Sequence, residues 1–284
     1  MKRYWFCAVP AFLLLCGLGY FEIFGLPEFL PAEFLRYALL GICALFILLI
    51  FLIGYRRGVE IRSGRNIFGT VCAALLAIGI VLRSVYNIYS IFYLKRTDLF
   101  GTLFAKRPVF GLIEPVLGLL AAFVLFAYAG SELFGLNIFE KAPLLAVIPP
   151  FWYCLGVVLH FVSKIATAST AENSVEVLAV VFTLLFLFEQ AKHFAGVGNM
   201  RTPKRMMQYG TAGLVFLIVS VLQYAAERHF IGTTHSSFEI PTHLLNVLFA
   251  LYLFSHMIVL RKGEKEPKKV KSDSEKTQKE NAAD

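Results

Sequence analysis

Charge is what this sequence has least of. Asp, Glu, Lys and Arg make up only 16% of its 284 residues, against about 25% in an average soluble domain. So little charge counts against a water-soluble fold of this length. Cysteine is sparse as well. Cys7, Cys16, Cys43, Cys72 and Cys154 all lie inside apolar runs, and no C-x-x-C occurs. That placement excludes a secreted disulfide framework and a paired-cysteine metal or redox centre. The cysteines read as small packing or lipid-embedded residues.

Catalytic signatures are missing too. The chain has no H-E-x-x-H, no G-x-S-x-G, no G-x-x-x-x-G-K-S/T and no TVGYG-like filter. A zinc protease, a serine hydrolase, a P-loop and a potassium-type pore lose their support. The lone G-x-G at Gly196 to Gly198 follows no strand and reads as a turn. His243 and His256 stand 13 residues apart, which at about 100° per residue puts them off one helix face. No haem, metal or other cofactor is expected, and an intramembrane enzyme is the least supported class.

What is present is apolar length. Hydrophobic residues make up 58% of the chain, gathered in runs long enough to cross a hydrocarbon core as helices. We expect an all-α, polytopic membrane bundle of about eight spans. They lie near residues 4–24, 32–55, 67–94, 109–129, 143–164, 171–194, 207–226 and 241–260. The basic, apolar start resembles a signal peptide, but no small-residue cleavage site follows, so it is read as a retained first span. Residues 1–262 then form the membrane domain. Residues 263–284 form a charged, solvated tail without apolar periodicity.

The net charge of +8 falls in loops beside apolar runs. Nucleic-acid binding is therefore not expected. Lys and Arg accumulate on the cytoplasmic side of a membrane. The start, Arg56 to Arg65, Lys192 to Arg205 and the tail are the basic stretches, and eight spans put all four on one side. The expected location is a bacterial plasma membrane with both termini cytoplasmic. The loop with Lys95, Arg96, Lys106 and Arg107 falls on the far side and fits this scheme poorly.

The chain also hints at duplication. Pro10 and Pro149, and Ala32 and Ala171, are each 139 residues apart; Gly69 and Gly210 are 141 apart. Residues 1–140 and 141–262 are candidate parallel repeats, with chance likeness among apolar segments as the plainer alternative.

Ionisable groups within spans are costly, so each is a functional candidate. Arg83 lies 16 residues past Ile67, about 24 Å along a helix, in the outer half. Similar counting puts Asn87, Glu114, His160, Glu176, Gln223, His243 and Asn246 there, with Glu189, Lys192 and His256 in the inner half. The candidates for an outward polar cavity are Arg83, Asn87, Glu114, His160, Glu176 and Gln223, with Arg83 paired to Glu114 or Glu176. The alternative is that they snorkel at the interface or form structural ion pairs. Pro115 and Pro149-Pro150 are candidate helix breaks of the kind transport sites use.

The function expected is a transporter, or a permease-like protein binding a small molecule or lipid. The alternative is a non-catalytic sensor or scaffold with a protein partner at its basic cytoplasmic loops and tail. The lipid bilayer is the one partner expected in every case.

Overall fold

A computed structural model describes residues 8–17, 32–55, 59–61, 66–92, 111–135, 138–165, 174–199, 201–226 and 239–262. Residues 93–110, 166–173, 227–238 and the predicted tail 263–284 lie outside them. So do Cys7 and the side chain of His160. The elements are α1 (Ala8–Gly17), α2 (Ala32–Tyr55), β1 (Val59–Ile61), α3 (Ile67–Phe92), α4 (Ile113–Phe134), α5 (Ile138–Lys141), a 3-10 turn (Pro143–Val147), α6 (Ile148–Ile165), α7 (Ser174–Phe194), α8 (Thr202–Ala226), α9 (Glu239–Val259) and β2 (Leu260–Lys262). A helix lies in each of the eight apolar segments. Three of them, α3, α4 and Thr202–Ala225 of α8, are long and apolar enough to cross a membrane by length and composition alone, and several shorter apolar helices accompany them.

The side chains of α3 are sorted for lipid, not water. Phe68, Val71, Leu75, Ile78, Leu82, Val85, Tyr89 and Phe92 are exposed, at alternating steps of three and four residues that trace one helix face. The opposite, buried face carries Gly69, Thr70, Cys72, Ala73, Ser84, Asn87 and Ser90 among its apolar residues. In water this sorting would be inverted. In a bilayer the apolar stripe meets lipid while small and polar groups meet neighbouring helices. Several buried hydroxyls bond back to their own helices: Ser90 donates to the Asn87 carbonyl, Thr183 to Ala179 and Thr211 to Met207.

Six helices close a cycle, α3 on α4, α4 on α6, α6 on α7, α7 on α8, α8 on α9 and α9 on α3. The α8 helix is the most enclosed of the three long apolar ones. It approaches α7 and α9 closely because Gly210 and Gly213 leave no room for side chains. A Cβ on Gly210 would lie 3.1 Å from the Phe186 ring, and one on Gly213 3.3 Å from the backbone nitrogen of Thr183. Outside the cycle, α2 packs on α8, with Phe46 edge-on to Phe216.

Four features gather one end of the bundle. β1 pairs antiparallel with β2, with Glu60 opposite Arg261. β1 also touches α8. Asn66 caps α3, its Oδ1 accepting the Gly69 N–H at 2.9 Å, and its amide reaches the Ser255 carbonyl of α9 at 3.4 Å. At the start of α8, Asn199 Oδ1 accepts the Arg201 N–H and Thr202 Oγ1 accepts the Asn199 N–H. Helix therefore begins at Thr202, not near Met207 as the sequence pattern predicts, and Lys204 and Arg205 belong to its first turn.

The two proline positions differ. Pro115 stands in the first turn of α4, where a missing N–H costs nothing; it breaks no helix. Pro149 and Pro150 follow a real break. The predicted fifth span is a 3-10 turn over Pro143–Val147 that becomes α-helix at Ile148.

Leu75 tests the lipid-facing stripe. It lies about 12 Å along α3 from Ile67, and its side chain is exposed. On a water-facing surface Leu75→Asp would be nearly neutral; in a bilayer it costs about 2.5–3.5 kcal/mol. We expect Leu75→Asp to cut the membrane-inserted fraction severalfold, measured by carbonate extraction of membranes, with Leu75→Phe unaffected.

Candidate functional site

Glu114 is the group around which the far end of the bundle is built. It occupies the first turn of α4 and is buried, near the positive end of the helix dipole. Asn87 of α3 donates to its Oε2 at 3.1 Å, and the Trp152 indole of α6 donates to its Oε1 at 3.2 Å. Arg83 Nη2 stands 3.6 Å from the same Oε1. That is longer than the roughly 2.7–2.9 Å of a charge-assisted hydrogen bond, so the pair is a loose contact. Three helices thus converge on one carboxylate.

Gly118, one turn on from Glu114, makes this possible. A Cβ there would fall on Ser84 Oγ and lie 3.0 Å from Trp152 Nε1. The indole is held from behind by Phe249 of α9, stacked at 6.5 Å, and by the adjacent Tyr153 ring, which meets Phe249 edge-on at 4.8 Å.

Beside this assembly lies a cavity of about 50 Å³. Arg83, Trp152, Tyr153, Glu176, Asn246 and the backbone of Gly156 are among its walls. Glu176 stands in the first turn of α7, so Glu114 and Glu176 both sit at helix starts. With a water taking about 30 Å³ in the liquid, the space suits one or two waters.

Of the sequence candidates, Arg83, Asn87 and Glu114 come together, and Glu176 shares the cavity with Arg83. Gln223 is half-buried on α8 and is not among the cavity's walls. Asn246 joins the site from α9. Trp152, Tyr153, Ser84 and Gly118 were not expected. The one signal for Gly118 was its helical spacing of four from Glu114.

A second polar group lies nearer the stranded end. Tyr128 of α4 and His256 of α9 meet at 3.2 Å through Nε2, while His256 Nδ1 is 3.1 Å from the Tyr252 carbonyl. A carbonyl only accepts, so the proton belongs on Nδ1 and Nε2 accepts from Tyr128. Gln190 donates to the Tyr252 hydroxyl at 2.7 Å. This chain ties α4, α7 and α9 together in a cramped aromatic setting, with Tyr128 stacked on Phe194 at 4.7 Å.

No family model, no curated protein and no solved structure matches this chain.

Removing Glu114 strands an arginine and two neutral donors. Breaking a fully buried ion pair costs about 3–5 kcal/mol. The Arg83 side chain is 22% exposed, so Glu114→Ala should cost less, about 2–3 kcal/mol. Removing both charges in Arg83→Met/Glu114→Leu should recover at least half of that, read as melting temperature in detergent. Equal losses in the single and double variants would mean the two residues are not coupled.

Proposed function

We propose that the chain is a membrane transporter, or a permease-like protein that binds a small molecule or lipid, through the polar cavity at the Glu114 end of the bundle. The observation that carries this is the position of Arg83. Its guanidinium touches Glu114 on one side and lines a cavity with Glu176 on the other. Asn87 and Trp152 share the Glu114 carboxylate, leaving Arg83 donors available to an anionic group in the cavity. Glu176 balances the charge or carries a proton.

At about 50 Å³ the cavity is small beside the roughly 300–1,000 Å³ of a small-molecule pocket. Transport therefore requires a wall to move, and α6 is suited to it. It brings Trp152 and Tyr153, and it is preceded by the 3-10 turn Pro143–Val147. Interruptions of this kind mark hinges and are common near transport sites. We place this machinery in an eight-span domain over 1–262, built of two four-helix repeats, in a bacterial plasma membrane. The basic end and both termini face the cytoplasm.

A non-catalytic sensor or scaffold is the second reading. The observation favouring it is the β1–β2 pair, which joins Val59–Ile61 to Leu260–Lys262. Strands so joined can present a fixed surface to a protein partner.

The chain has only two tryptophans, Trp5 and Trp152, so Trp5→Phe leaves an emitter in the cavity wall. Titrating that protein with phosphate, acetate and short dicarboxylates should shift or quench Trp152 emission for at least one anion. Arg83→Gln should weaken the response by tenfold or more, and truncation after residue 262 should leave it unchanged. A flat response to every anion, together with loss of a partner on truncation, would favour the scaffold.

A further inference from the structure

The start of α6 is interrupted where two prolines follow each other, and the interruption leaves a backbone group in need of a partner. The Ile148 N–H bonds to the Leu145 carbonyl and closes the 3-10 turn. The next carbonyl, that of Ala146, has no such donor. A 3-10 bond to it would come from residue 149 and an α-helical bond from residue 150. Both are proline and have no N–H. Ala146 is only 4% exposed, and a buried carbonyl is almost always paired, with protein or with ordered water.

A cavity of about 20 Å³ lies against this turn. Ala146, Pro149 and Pro150 form one side of it. Tyr128 of α4, Gln190 of α7 and Tyr252 of α9 bring the polar groups, and the rest of the wall is apolar. A helical carbonyl points along the axis towards the residues three and four further on. For Ala146 these are Pro149 and Pro150, so its oxygen lies on the side of α6 that meets the cavity.

Gln190 and Tyr252 are both buried. The Gln190 amide donates one N–H to the Tyr252 hydroxyl at 2.7 Å. The amide has a second N–H and an oxygen, and the hydroxyl has a proton of its own. Among the described residues no protein group takes these. Tyr128 is committed to His256. Donors and acceptors therefore face one small space, with no charged side chain in its wall. That mixture suits a water, which both donates and accepts, better than an ion of either sign. A water needs roughly 10–15 Å³ for its centre and two to four polar partners, and this cavity offers both.

We infer that the cavity binds one ordered water, which donates to the Ala146 carbonyl and bonds to Gln190 and Tyr252, latching the interrupted start of α6 to α7 and α9. Two residues beyond Pro150, the same helix carries Trp152 in the wall of the Glu114 cavity. The water thus holds the wall of one cavity from inside the other. The latch rests on the reading of α6 as the moving wall for transport. It is measured without any anion, so its failure and a failure of anion binding are separate results.

The test uses the full chain in detergent. Gln190→Leu keeps the volume of the side chain and removes its polar atoms, so it should expel the water. Hydrogen exchange at the amides of Phe151 to Leu155 should then quicken about tenfold, the factor that a buried polar group left unpaired carries. Acrylamide should quench Trp152 more strongly in the Trp5→Phe protein. Pro150→Ala supplies the Ala146 carbonyl with an N–H, so in that background Gln190→Leu should change both readings far less. Loss of the Gln190–Tyr252 bond alone would act equally in both backgrounds. Equal acceleration with and without Pro150→Ala would therefore overturn the latch. Tyr252→Phe, which removes a single hydroxyl, gives the same comparison should Gln190→Leu fold poorly. A high-resolution experimental structure should show the water within hydrogen-bond reach of Gln190 and the Ala146 carbonyl, and a dry cavity would overturn the site itself.

Discussion

The hydrogen bonds to Glu114 set the geometry of one whole end of this protein. A carboxylate in an apolar bundle is tolerated only where donors replace the water it has lost. Here the donors come from α3 and α6, while the acid itself belongs to α4. Three helices are therefore fixed relative to one another by one side chain. Gly118 follows from that, because the indole of Trp152 reaches Glu114 only over a residue without a side chain. The stacking of Trp152 on Phe249 extends the constraint to α9.

Much of the architecture was legible in the sequence, for a reason peculiar to bilayers. A backbone crossing hydrocarbon must satisfy its own hydrogen bonds, so apolar runs become helices with little competition. Helix is found in every apolar segment. The depth count that put Arg83 and Glu114 at a similar level also needed only the helical rise. What stayed hidden depends on contacts distant in sequence. Val59–Ile61 and Leu260–Lys262 are too short to read as strands and pair across the chain. Trp152 was not expected at the site because its indole partner lies 38 residues away. The start of α8 was misread because its cap, Asn199 with Thr202, sits in a stretch whose charges suggested a loop. The fifth span was expected to begin near Pro143, which instead heads a 3-10 turn.

The interior shows how polar groups are accommodated without water. Short hydroxyl side chains bond back to their own helices, as Thr183, Thr211 and Ser255 do, and need no partner. Longer polar groups cannot, so they reach across. Gln190 reaches Tyr252, His256 reaches Tyr128, and Glu114 gathers two donors with Arg83 in looser contact. The reaching groups lie towards opposite ends of the bundle, while its middle is closed by Leu76, Phe216, Phe249 and Leu253, all nearly inaccessible. Any path from one end to the other would have to pass these residues.

Helix dipoles make the two ends unequal. Glu114 and Glu176 stand in the first turns of α4 and α7, where negative charge is favoured. At that end acids and dipoles agree, and Arg83 adds a cation between them. At the other end Lys204 and Arg205 stand in the first turn of α8, where positive charge is disfavoured. Glu189 offsets part of this from the last turns of α7, where its own charge opposes the dipole as well. The Glu114 end therefore places its acids where the helix dipoles favour them, whereas the start of α8 places its cations where the dipole does not.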